Sequence, residues 1–174
     1  MLQRLFRPRA ARATGAALFQ AVTRQARQPV FYAELGVPDT VEGRFELYSL
    51  HVVLLVCRLK GEGPQASEVS QAVFDAYLRS LDDALREMGV GDLSVGKKMR
   101  KLGEAFYGRA KAYDAALQAL PDRSPLAAVI GRTIVADDEP GPLVDYAVRA
   151  VDALAAMPLA ALLEGETTWP ELAS

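Results

Sequence analysis

Between Phe45 and Leu59 the chain is apolar almost all the way round a helical wheel, interrupted only by Glu46, Ser49, His51 and Arg58. A helix with apolar residues on every side has to be enclosed by protein. Its valines would also suit a buried strand. Its length, and the lack of any strand candidate to pair with it, decide for a central helix. No alternating apolar–polar run occurs elsewhere, and no repeat recurs along the chain. The expectation is an all-α fold: a single compact domain of about six or seven helices with a basic N-terminal arm.

The other segments read as helices of ordinary amphipathic type. Leu2, Leu5 and Phe6 start one that Pro8 should stop, and Gly15 to Ala26 forms a second, ended by Gln28-Pro29. Asp39 with Glu42 looks like a capping box for the central helix. Val69 to Met88 repeats apolar residues at helical spacing and stops at Gly89. Ser94 should cap a long helix reaching about Ala119, Ser124-Pro125 should open another, and Pro142 a further one. A short turn runs from Pro158 to Glu164. The implied organisation is a partly helical arm over 1–28, a helical domain over 29–165 and a frayed tail over 166–174.

Alanine, at 29 residues, favours close-packed helices. The net charge of −2 hides an asymmetry, because residues 1–28 carry six arginines and no acid. Such an arm suits an anionic surface. Leu2, Arg4, Leu5, Phe6, Arg7, Arg9 and Arg12 are the candidates for contact with a membrane. A mitochondrial transit peptide shows the same arginine-rich, acid-free character. No uninterrupted apolar run is long enough to span a bilayer.

Catalytic groups are scarce. His51 is the only histidine and Cys57 the only cysteine, so a structural zinc site and an internal disulfide are both ruled out. The sole candidate base lies mid-way along the most apolar helix. The run GVGDLSVGKK lacks the hydroxyl residue of a phosphate-binding loop and follows a helix where that loop would follow a strand. Asp82-Asp83 and Asp137-Asp138 are neighbours pointing about 100° apart in a helix, which reads as solvated charge. Neither catalysis nor a cofactor is expected, and His51 and Arg58, seven residues apart on one side of their helix, suit a buried, hydrogen-bonded pair or a polar edge.

One constellation points to binding. From Ser94 to Ala119, the residues Met99, Leu102, Phe106, Ala110, Tyr113 and Leu117 fall within about 80° of one another as a core stripe. Opposite stand Lys97, Lys98, Arg100, Lys101, Arg109 and Lys111, with Tyr107 at the edge. These are the candidate protein-binding residues, since such a face suits an acidic protein loop, RNA or an anionic membrane. Gly96, Gly103 and Ala110 add a strip of small residues, best explained by a neighbouring helix at close range.

Three strings, QARQPVFYAELGVPDTVEGRFELYSLH (25–51), REMGVGDLSVGKKMRKLGEAFYGRAKAYDAAL (86–117) and SPLAAVIGR (124–132), resemble the ubiquinol–cytochrome c chaperone family, in a compact, bacterial-type form. The resemblance implies an all-helical, non-catalytic assembly factor for ubiquinol–cytochrome c reductase, with newly made cytochrome b as client and the ribosome as a further partner. It places the protein in the cytoplasm against the inner membrane, or in the matrix of a mitochondrion. DNA and small-molecule substrates are not expected partners. The alternative is a haem or small-molecule carrier with a pocket near His51.

Overall fold

A computed structural model describes residues 3–135 and 140–172, with side chains from Arg9 onward. Eight helices follow in order: α1 (Gln3–Ala26), α2 (Pro29–Ala33), α3 (Val41–Leu59), α4 (Pro64–Glu87), α5 (Asp92–Gln118), α6 (Ser124–Thr133), α7 (Gly141–Ala156) and α8 (Leu159–Leu163). No strand occurs among the described residues. The all-helical expectation holds.

Helix α3 is the centre. Leu47, Leu50, Val52, Val53, Leu54 and Leu55 are all buried, and α1, α4, α5 and α7 pack around them. Each polar interruption of α3 serves a different purpose. Glu46 takes a two-pronged contact from Arg109 of α5, Nε to Oε2 at 2.9 Å and the second nitrogen to Oε1 at 2.7 Å. Ser49 shares a 2.7 Å bond with Tyr77 of α4. His51 meets Tyr146 of α7 at 2.7 Å. Arg58 donates to the carbonyls of Leu154 and Met157, where α7 ends, and pairs with Glu62 at 2.7 Å. A guanidinium there satisfies carbonyls that the helix end leaves free and favours its negative pole. The polar residues therefore register α3 against three neighbours. His51 and Arg58 lie on one side of α3 but have separate partners.

Several boundaries differ from expectation. Helix α1 continues through Pro8, which removes a single backbone bond near the start, while Ala11, Leu18 and Val22 hold the rest in the core. Pro29 begins a helix instead of ending one, because at its first turn no N–H is needed. Thr40 caps α3, its hydroxyl accepting from Gly43 N at 3.0 Å, while Asp39 pairs with Arg44 at 2.6 Å. Gly43 must lack a side chain, since a Cβ would run into the Pro38 carbonyl. Helix α4 starts five residues early, with Pro64 in its first turn. Ser94 and Ser124 both lie inside their helices; the caps are Gly91 and Arg123, and Asp122 accepts from Ser124 N at 2.9 Å.

The close helix approach is also elsewhere. A Cβ on Gly15 would sit 2.5 Å from that of Ala72, so α1 and α4 cross there backbone to backbone, whereas Gly96 and Gly103 face open space. Residues 166–172 lie against the body. Trp169 packs edge-on to His51, centroids 5.0 Å apart, and Gln25 donates to Pro170 O at 3.3 Å.

Candidate functional site

The first half of α3, the second half of α4 and the first half of α5 diverge enough to leave a groove of about 670 Å³, closed at one side by Arg27 and Tyr32. Phe45 and Tyr77 stack as its floor, centroids 6.4 Å apart and planes 27° apart. Leu81, Leu85 and Leu102 form the walls. Val41 and Met88 are the large apolar residues exposed at its mouth, 57% and 51%.

The buried polar side chains of these walls are already engaged. Tyr77 is bonded to Ser49, Glu46 to Arg109, and the Tyr48 hydroxyl accepts from Arg27 Nε at 3.1 Å. Tyr32 donates to Ala26 O at 2.7 Å. Burial pushes the Tyr77 phenol well above its ordinary pKa, so it stays neutral. The side chains of Thr167 and Trp169 hold the unpartnered buried polar atoms among the described residues, and neither lines the groove. Charge is kept to the rim, where Arg27, Lys98 and Lys101 make no ion pair among the described residues. Such a surface can take up apolar groups and sort them by flanking charge. It holds no activated nucleophile.

His51 is the opposite case. Its Nδ1–H donates to Leu47 O at 2.8 Å, so Nε2 accepts from the Tyr146 hydroxyl, which in turn accepts from Gln25 Nε2 at 3.1 Å. Phe31, Tyr146 and Trp169 enclose the ring, and burial lowers its pKa to about 4. No ring nitrogen remains for a haem iron, and His51 does not line the groove. Both ring nitrogens are thus spent on protein partners. Cys57 is equally inert, its thiol raised to about 11 by burial.

The sequence profile of the ubiquinol–cytochrome C chaperone family matches residues 33–169. This chain belongs to that family. A frog (Xenopus laevis) protein named ubiquinol–cytochrome-c reductase complex assembly factor 1 is 27% identical over 150 residues, 82% of this chain and 73% of that one. The human protein of the same name is 28% identical over 148 residues, again 82% of this chain, which spans about half (49%) of its length. The crystal structure of the Cbp3 homolog from Brucella abortus superposes with a TM-score of 0.85 at 37% identity, over 98% of this chain and 97% of that one. A non-catalytic chaperone is thus what the family makes of this fold. The family match takes in all three helices of the groove, and the structural match takes in nearly the whole chain.

The family's fold divides the cations singled out from the sequence. Lys98 and Lys101 reach the groove's rim. Lys97, Arg100 and Lys111 are exposed on other faces of α5. Arg109 is half-buried and turned inward to Glu46, so it is not part of a free cationic face. Tyr107 is 64% exposed, its ring 5.6 Å from that of Phe74. In the supposed core stripe Phe106 and Tyr113 are buried, but Leu102 lines the groove and Met99 is half-buried. Of the membrane candidates, Arg9 and Arg12 are exposed on α1, whereas Leu2 and the side chains of Arg4, Leu5, Phe6 and Arg7 lie outside the described residues. Asp82 pairs with Arg86 at 2.7 Å as solvated charge, and Asp137-Asp138 lies outside the described residues. The groove residues Phe45, Tyr48, Leu81 and Met88 went unmarked in the sequence, where they look like any core residue.

Proposed function

We propose that this chain is an assembly factor for ubiquinol–cytochrome c reductase that holds newly made cytochrome b at the inner face of the membrane. The observation that carries the reading is the family match across residues 33–169, which includes the walls of the groove. Cytochrome b is an apolar membrane protein, and an apolar groove with no polar demands of its own is suited to covering part of it. No helix described is long and apolar enough to cross a membrane. The basic arm, Arg4 to Arg12, would supply reversible attachment, each cation near an anionic leaflet contributing about 1 kcal/mol at most. Lys97, Arg100 and Lys111 extend that cationic character along α5, where a ribosome or an anionic surface could be met.

A holder acts stoichiometrically, so a deletion strain should lose cytochrome b protein and its haem absorbance from membranes while its transcript is unchanged. Recovery should follow the dose of the re-expressed chain. Normal cytochrome b and normal quinol oxidation in that strain would remove the proposal.

A further inference from the structure

We infer that the groove between α3, α4 and α5 receives one amphipathic helix of another polypeptide, apolar on the buried side and flanked by aspartate or glutamate. This rests on the reading that the chain works by holding a polypeptide, and it adds where and in what form.

Three features of the groove select the occupant. Its walls are helices, whose mid-helix N–H and C=O groups are already paired along their own axes. An extended segment would find no backbone partner there, and its own amides would go unsatisfied. A helix brings its backbone bonds with it. Second, no buried side chain in the floor has an unused polar atom, so the floor asks only for apolar contact. A small polar ligand would meet no free buried group on that floor to orient it. Third, the rim is cationic. Arg27, Lys98 and Lys101 stand without carboxylate partners, against Glu42, because Glu46 is spent on Arg109 and Arg44 on Asp39. Lys98 and Leu102 are four residues apart on one face of α5, so a cation stands directly beside the apolar wall. An occupant with leucines on one face and acids beside them meets both.

The test uses the full-length protein and two fluorescein-labelled helical peptides of about 20 residues, long enough to be helical when bound. Both carry leucines at i, i+3, i+4 and i+7. One has glutamate on the flanks and the other lysine. Anisotropy should show the glutamate peptide binding about tenfold tighter or better, with the preference shrinking as salt rises. Lys98→Glu with Lys101→Glu should reverse the preference. Leu102→Glu with Met88→Glu should abolish binding of both peptides at an unchanged melting temperature. The single change Met88→Glu, at a half-exposed site, serves if the pair disturbs folding.

Equal affinity for the two peptides, or binding untouched by the groove changes, overturns the inference. So does displacement of the glutamate peptide by phosphatidylglycerol vesicles that bind only when the groove is intact, which would make the occupant a lipid. Capture of cytochrome b by a groove-changed protein at wild-type level would sink this site and leave the chaperone reading standing. Failure of the wild-type chain to capture cytochrome b, with peptide selectivity intact, would do the reverse.

Discussion

The two sides of α3 are built on opposite terms. Toward α7 lies a sealed region where Phe31, Tyr146 and Trp169 close over His51 and where Gln25, Tyr146, His51 and Leu47 O form one directed chain of hydrogen bonds. Toward α4 and α5 the same helix presents Phe45 and Tyr48 to an open groove, with its polar groups drawn down beneath or out to the rim. The polar side chains of α3 are engaged toward both sides, and the unpartnered indole Nε1 of Trp169 lies on the sealed one. The two sides differ in whether the apolar surface is covered. An uncovered apolar surface costs solvation that a folded chain normally avoids, and it is recovered when a partner arrives. The sealed side around His51 is therefore architecture, and the open side, with Phe45, Tyr48 and Tyr77 beside its leucines, is the place to look for binding.

The largest effect should come from the ion pair beneath the groove. Arg109→Ala leaves the Glu46 carboxylate in the interior without its guanidinium, and stability should fall by about 3–4 kcal/mol. Replacing both residues by leucine should recover most of that, because no charge then remains buried. Denaturant titration of the three proteins checks it. If the single change costs little, Glu46 is not buried as described, and the floor of the groove is wetter than the contrast requires.

Next comes the sealed side, read by pH. Burial holds His51 neutral, with a pKa near 4 in the folded protein against about 6.5 unfolded. A depressed histidine pKa means that the unfolded chain takes up the proton first. Its contribution is fully present above pH 6.5 and is lost as pH falls toward 4, amounting to roughly 3 kcal/mol. His51→Gln cannot titrate, so stability measured across that window should show a shallower slope in the variant. Identical slopes would mean that the ring is open to water.

Tyr146→Phe should cost less, about 1–2 kcal/mol, because it strands Nε2 of His51 and one donor of Gln25 without creating a charge. Thermal melts with and without the change measure it. The smallest effect belongs to the open side. Met88→Ser, at a residue 51% exposed, should move stability by no more than about 0.5 kcal/mol while weakening client capture. A large loss of stability there would show the groove to be core.

How far the sequence could be read follows the same division. Helix α3 was plain because apolar residues on every side admit one placement. Helix α2 was hidden because Pro29 serves equally as a stop and as a first residue. The caps shifted because Asp39, Ser94 and Ser124 are all competent cap residues, and neighbours decide which one acts. The cations of α5 could be listed but not sorted, since Arg109 finds its carboxylate 63 residues away. Leu102 reads as core for the same reason: periodicity shows which face is apolar, not whether a helix covers it.

Capture of cytochrome b tests the account most directly. Tagged full-length chain, recovered from membranes in mild detergent, should bring cytochrome b with it in preference to the mature reductase subunits. The Met88→Glu and Leu102→Glu protein should bring much less at equal expression and unchanged melting. A wild-type chain that recovers no cytochrome b from a strain actively making it would contradict the account.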